Sequence, residues 1–162
     1  MSDPTPNSVR EALAATLATI DGTGSYTLDL SGAGAVLYGM PPATGRPAGH
    51  RAYVFRGEAR YTRTPEATLG GWMREGSLGI TVLTPSDSTA SADREAGIDA
   101  IERDLMDAID AALSTGGDLA AAGVLDVTDV SIRPIFGSAP GASVHPVAVD
   151  ATIQLTYLRG RA

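Results

Sequence analysis

The chain of 162 residues fits one domain and leaves no room for a second core of ordinary size. Its composition, 43% hydrophobic and 19% charged with a net charge of −7, is that of a globular protein. Cysteine and lysine are both absent, which excludes disulfides, thiolate metal sites, Schiff-base catalysis and the phosphate-binding lysine of a P-loop.

A helix is predicted at the start of the chain. Ser8 and Glu11 have the spacing of a capping box, and Asp21-Gly22 supplies a stop. The helix is therefore expected to run from about Ser8 to Ile20. Its apolar residues recur at helical spacing, so one stripe should face a core.

Short strands are predicted next. Tyr26 to Leu30 and Ala35 to Tyr38 flank a glycine-rich turn, which predicts a hairpin. Further strands are expected from Arg51 to Tyr61 and from Trp72 to Thr84. In the first of these, one face is predicted to carry Tyr53, Phe55, Ala59 and Tyr61. The segments predicted as long loops are 40–49, 62–71 and, later in the chain, 137–146.

The clearest periodicity is helical and extends from about Ser91 to Ser114. One face of this helix is apolar, and the opposite, acidic arc is expected to be solvated. That arc carries Asp93, Glu95, Asp99, Glu102, Asp104, Asp107 and Asp110. Two more strands are predicted, Val124 to Phe136 and Val147 to Arg159. The order of elements predicts one α+β domain over residues 1–162, with an antiparallel or mixed sheet of about five to six strands and two helices packed on one face.

Charge is segregated along the chain. From Arg46 to Arg74 six arginines face two glutamates, a local charge of +4, whereas from Asp87 to Asp118 nine acids face two arginines, a local charge of −7. Opposite patches of this kind favour head-to-tail contacts between copies, although both stretches are equally compatible with plain solvated surfaces. The residues predicted to lie at such an interface are Arg46, Arg51, Arg56, Arg60, Arg63, Trp72, Arg74, Asp99, Glu102 and Asp107.

Two groups of residues deserve consideration as catalytic or metal sites. Ser143, His145 and Asp150 are close in sequence, but a histidine before proline in a Gly/Ala-rich loop is better explained as a turn residue. Acids on adjacent turns of the second helix lack the loop and glycine of a calcium site. No catalytic residue, cofactor or metal is therefore predicted. The acidic pI of about 4.6 and the 5% aromatic content also argue against a dedicated nucleic-acid binder.

The polar start of the chain, Met1 to Asn7, has no apolar core of a signal peptide, and no run of apolar residues is long enough to span a bilayer. The protein is accordingly expected to be made in the cytosol and to have no membrane partner.

Taken in order, the elements resemble the tail terminator proteins of long-tailed bacteriophages, also called minor tail or tail completion proteins. The similarity spans most of the chain and rests on five segments, together with their order. These are Val9–Leu13, Trp72–Ile80, Asp104–Ile109, the turn Gly123-Val124 and Leu155–Arg159.

This resemblance implies a structural virion protein without enzymatic activity or cofactor. Six copies would form a ring on the head-proximal end of the tail tube, stop its polymerisation and join it to the head. The implied partners are the chain itself, the tail tube protein and a head-tail connector protein, while DNA passes through the lumen without specific binding. The alternatives are a head-tail neck protein of the same particle, a small hydrolase built around His145, and a ligand-binding module that uses the strand from Arg51 to Tyr61.

Overall fold

The computed structural model describes residues 5–41, 49–63, 72–84, 91–135 and 147–159; the side chains at positions 62, 63, 72, 73, 91, 147, 158 and 159 are outside that description. The elements are α1 (Pro6–Ala18), β1 (Val36–Tyr38), β2 (Arg51–Arg63), β3 (Trp72–Thr84), α2 (Ser91–Leu113), α3 (Asp118–Ala121), β4 (Val124–Ile135) and β5 (Val147–Arg159). Five strands form one mixed sheet in the order β1-β2-β3-β5-β4. β1 runs parallel to β2, and the other pairs are antiparallel. The predicted α+β class is confirmed.

The core lies between the helices and one face of the sheet. On β3, Leu78, Ile80 and Val82 point toward the helices, opposite alternate residues of β5 that are buried with them. Leu13 of α1 and Leu105 of α2 close this layer from the helix side and are fully buried. Burying such a side chain contributes about 1.5–3 kcal/mol. We call the other face of the sheet, which no described helix covers, the open face.

Helix α1 begins two residues earlier than predicted. Thr5 is the N-cap: its hydroxyl accepts a hydrogen bond from the amide of Ser8, and the Ser8 hydroxyl accepts one from the amide of Thr5. Pro6 then occupies the first turn, where its missing N–H costs nothing. Ser8 therefore has the role predicted for Glu11, and the helix ends at Ala18 rather than Ile20.

The predicted hairpin between residues 26 and 38 is wrong. Residues 26–30 make one isolated bridge, between Asp21 and Asp29, while Leu28 and Leu30 point into the core. The glycine-rich segment does turn the chain, but the strand that follows it, β1, pairs with β2 in parallel. The partner of β1 is therefore β2 and not the segment just before the turn. A local turn pattern cannot identify a partner that lies further along the chain.

The predicted alternation of β2 fails at a bulge. Between Arg56 and Ala59 two residues of β2 oppose the single residue Ser77 of β3, so the strand changes face there. Tyr53 and Phe55 consequently lie on the open face, and Ala59 lies on the helix side. Strand β2 also continues to Arg63, into the segment predicted as a loop.

The two other predicted loops, 40–49 and 137–146, lie largely or wholly outside the described residues. None of the described helices is both long enough and apolar enough to cross a membrane.

Candidate interaction surfaces

The arginine-rich stretch does not form one surface. By strand register, Arg51 and Arg60 project to the open face, whereas Arg56 and Arg74 project to the helix side. Arg60 is exposed, and Arg51 donates a hydrogen bond to the carbonyl of Gly34. A run of like charges along a strand is therefore divided between two faces by the alternation of side chains.

Arg74 is largely buried, with 5% of its surface exposed. Its guanidinium lies 5.4 Å from the ring centre of Tyr61 and 5.2 Å from that of Tyr157, which places it between two aromatic rings. Stacking of this kind is favourable for arginine and stronger when water is excluded. The position indicates a structural role rather than a contact with a partner.

The remaining predicted interface residues are dispersed. Asp99, Glu102 and Asp107 are exposed on the outer side of α2, away from the open face of the sheet. Arg63 and Trp72 face each other across β2 and β3, but their side chains are outside the description, as is the whole of Arg46. Arg60 and the α2 carboxylates therefore lie on opposite sides of the two-layer molecule.

Asp104 does not belong to the solvated arc in which the periodicity placed it. It is fully buried, and its Oδ2 accepts hydrogen bonds from the backbone amides of Thr27 (2.7 Å) and Leu28 (2.8 Å). Its Oδ1 lies 3.3 Å from the guanidinium of Arg103, which also donates to the hydroxyl of Thr27. The carboxylate thus ties α2 to residues 26–30, and it acts within the fold rather than at a surface.

A groove of about 450 Å³ with polar and apolar lining residues occupies the open face at the β2 bulge. Arg60, Glu75 and Ser77 line it, together with Thr152 and Gln154 of β5. The groove carries one arginine, Arg60, beside the carboxylates of Glu58 and Glu75, so Arg60 is the group that an anion would contact.

The ring of Phe55 lies across Gly79 of the neighbouring strand on this face, where any larger residue would collide with it. Close by, Thr81 donates a 2.6 Å hydrogen bond to Asp150, which also lies 3.7 Å from Arg133. Asp150 is therefore engaged within the sheet. Ser143 and His145, the other members of the catalytic set considered from the sequence, are outside the described residues.

The two ends of the sheet carry features that the sequence did not reveal. At the β1 end, Leu37, Tyr38 and Met40 are 36%, 53% and 69% exposed, and we call these three residues the β1 ridge. The guanidinium of Arg10, from α1, lies 4.7 Å from the ring centre of Tyr38.

At the β4 end, α2 and β4 enclose a groove of about 320 Å³, here called the α2–β4 groove. Its apolar lining residues are Met106, Ile109, Leu113, Val127 and Val130, and its polar ones are Asp110, Thr128 and Asp129. Both aspartates are exposed. The groove therefore has apolar walls and carries negative charge.

Hydrogen bonds within local turns lower the pKa values of two further aspartates. The hydroxyl of Thr23 donates a hydrogen bond to Asp21 and, together with the Thr23 amide, lowers the pKa of that carboxyl. Ser31 lowers the pKa of Asp29 in the same way, with a smaller contribution from His50. These two carboxylates stabilise turns. Within the described part of the chain, no three His, Asp or Glu residues form a group able to hold a metal ion.

No protein-family model matches the sequence, and no curated protein is significantly similar to it.

Proposed function

We propose that this chain is a structural subunit of a bacteriophage tail. Copies would assemble head-to-tail into a ring at the head-proximal end of the tail tube, stop the tube from growing and join the tail to the head. The sites of action would be the virion and its head-tail junction, and the partners the tube protein, a connector protein and further copies of the chain.

The observation that carries this proposal is the difference between the two ends of the sheet. A closed ring of identical subunits needs two unlike surfaces on each copy that fit each other. The β1 ridge, with its exposed side chains, and the α2–β4 groove would supply such a pair. Apart from the predicted strand at residues 26–30, which is absent, and the short helix α3, the order of helices and strands is the one on which the resemblance to tail terminators rests.

Tail length distinguishes a terminator from a neck protein of the same particle. If the chain is a terminator, particles made without it should have overlong or headless tails, because nothing halts the addition of tube subunits. Tails of normal length that merely fail to join heads would instead indicate the neck protein. Electron microscopy of particles produced with and without the chain measures both outcomes.

A ligand-binding module is the second candidate, and the groove on the open face favours it. Arg60, rather than Arg56, is the arginine that lines this groove. The module predicts saturable binding of a small anion that Arg60→Ala weakens and Arg56→Ala leaves unchanged. Calorimetric titration with phosphate or a dicarboxylate would measure this.

A further inference from the structure

We propose that the β1 ridge of one copy inserts into the α2–β4 groove of the next copy. This inference rests on the proposed self-assembly and names the surfaces through which copies would meet. It replaces the arginine stretch with a contact at the two ends of the sheet.

The shape of the β1 ridge suits insertion. Tyr38 pairs with Val54 and projects to the helix side, whereas Leu37 pairs with Tyr53 and projects to the open face. Met40 follows directly after the strand. Apolar side chains therefore extend from both sides of a three-residue edge strand, and a wedge of this form loses water on both sides when it enters a groove.

The α2–β4 groove offers the matching apolar surface. Ile109 is buried at 1% exposure, while Val127 and Val130 are half-buried and pack against the core. Its volume of about 320 Å³ lies at the lower end of the range for pockets that hold small ligands, ~300–1,000 Å³. The apolar side chains of the ridge match the apolar lining of the groove in character.

Charge complements the apolar fit. The ridge is accompanied by Arg10, stacked on Tyr38, and by Arg51, bound to the carbonyl that lies two residues before β1. The groove carries Asp110 and Asp129. Arginine suits contacts with carboxylates at interfaces, so these charges would orient the ridge as it enters.

The β4 edge favours contact through side chains over continuation of the sheet. Strand β4 is bulged at two places, between Val124 and Asp126 and between Val127 and Asp129. It also contains Pro134, which has no amide hydrogen to donate. Bulges and proline on an edge oppose the addition of a further strand.

The two surfaces lie at opposite ends of one sheet, β1 and β4. An open assembly would thus keep a free ridge on the copy at one end and a free groove on the copy at the other. Such heterologous contacts close into a ring where the rotation from one copy to the next closes, as the proposed function requires, and otherwise grow into a filament.

Disulfide trapping tests the contact directly, because the chain has no cysteine of its own. Met40→Cys and Thr128→Cys place one thiol on the ridge and one at the groove, both at exposed positions. Oxidation of the double variant at high protein concentration should give a ladder of covalent dimers, trimers and larger species. Absence of intermolecular disulfides in the double variant would overturn the proposal.

The single variants are the matched controls. Neither Met40→Cys nor Thr128→Cys alone should form more than a trace of dimer, because like surfaces do not meet in a heterologous contact. Efficient dimerisation of Met40→Cys alone would show ridge meeting ridge and would also overturn the proposal. Circular dichroism of each variant verifies that the fold is retained.

Mixing distinguishes this interface from the proposed role in the tail. Tyr38→Glu blocks the ridge and leaves the groove intact, and Asp129→Arg does the reverse. Each variant alone should fail to associate, while an equimolar mixture should form heterodimers that grow no further. A ladder and heterodimers combined with normal tails in the absence of the chain would preserve the interface and refute the terminator, whereas overlong tails without a ladder would do the opposite.

Discussion

Asp104 shows how a carboxylate on an acidic helix can belong to the core. Its Oδ2 accepts two backbone hydrogen bonds from residues 27 and 28, which are more than 70 positions away in sequence. Since the buried amide of Leu28 and the partly buried amide of Thr27 would both lose their acceptor, Asp104→Ala should lower the free energy of unfolding by about 3 kcal/mol. Urea denaturation monitored by circular dichroism measures this change.

Asp107→Ala is the control for that measurement, because it removes the same charge from an exposed position of the same helix. It should change the stability by no more than about 0.5 kcal/mol. Equal effects of the two substitutions would mean that the Asp104 hydrogen bonds contribute little.

Arg74 provides a second contrast between neighbouring positions. Truncation of this buried side chain in Arg74→Ala removes its packing between Tyr61 and Tyr157 and should cost about 2 kcal/mol of stability. Arg60→Ala, on the exposed open face, should leave stability within about 0.5 kcal/mol of the parent. Thermal unfolding of both variants would contradict this account if Arg74→Ala melted at the parent temperature.

The turn at Asp29 makes a prediction about pH. The hydroxyl and amide of Ser31 hold the pKa of Asp29 below its ordinary value of 3.8. A carboxyl whose pKa is lowered by folding contributes stability above its unfolded pKa, and this contribution disappears as the pH falls through the folded pKa. Because Ser31→Ala removes the hydroxyl, it should raise the pKa of Asp29 toward its ordinary value. NMR titration of the side-chain carboxyl measures this pKa, and an unchanged value would assign the shift to other groups.

At the scale of elements, the β2 bulge depends on a close approach of two strands. A side chain at Gly57 would collide with the hydroxyl of Ser77, which donates a hydrogen bond to the carbonyl of Glu58. Gly57→Ala should therefore displace that hydroxyl and cost about 1 kcal/mol. Chemical denaturation of the variant measures the loss.

Two variants make the interpretation specific. Gly49→Ala has open space around the added methyl group and should be close to neutral. In a Ser77→Ala background the hydroxyl is absent, so Gly57→Ala should cost less than it does in the parent. A full cost in both backgrounds would show that the backbone, and not Ser77, opposes the side chain.

Long periodic segments were predictable from the sequence. The bounds of β3, β5 and α2 agree with prediction to within a residue, because each segment repeats its pattern over ten or more positions. The β2 bulge was not predictable, since a single extra residue has no periodic signature. The parallel pairing of β1 with β2 depends on contacts distant in sequence, which no local pattern encodes.

The two surfaces at the ends of the sheet have no signal in the sequence. The arginine stretch was conspicuous in the sequence, but alternation along the strands divides it between two faces. The β1 ridge occupies a three-residue strand, too short to show a period. The α2–β4 groove brings together segments separated by about fifteen residues, and it exists through tertiary packing alone.

For the assembled protein, the contribution of the open-face charge to association can be tested independently of the β1 ridge. Arg60→Glu reverses a charge in the open-face groove and leaves both the β1 ridge and the α2–β4 groove unchanged. Because the proposed contact joins the two ends of the sheet and excludes the open face, this variant should assemble as strongly as the parent and fold equally well. Sedimentation velocity of both proteins compares their assembly, and weaker assembly of the variant would return Arg60 to the interface, as the charge segregation predicts.

Ionic strength should also act on the assembly. Contacts between exposed arginines and carboxylates are screened over about 8 Å at 0.15 M salt and over about 3 Å at 1 M. Raising salt over that range should loosen the association of copies, as light scattering would show. Association that strengthens with salt would instead indicate a contact dominated by apolar burial.

Direct imaging of the head-tail junction by electron microscopy tests the central claim, that copies of this chain work as a closed ring of unlike contacts. We predict a ring of this fold at the head-proximal end of the tube, with the β1 end of each copy against the β4 end of the next. Particles with intact tails and heads that lack the chain at this junction would contradict the account.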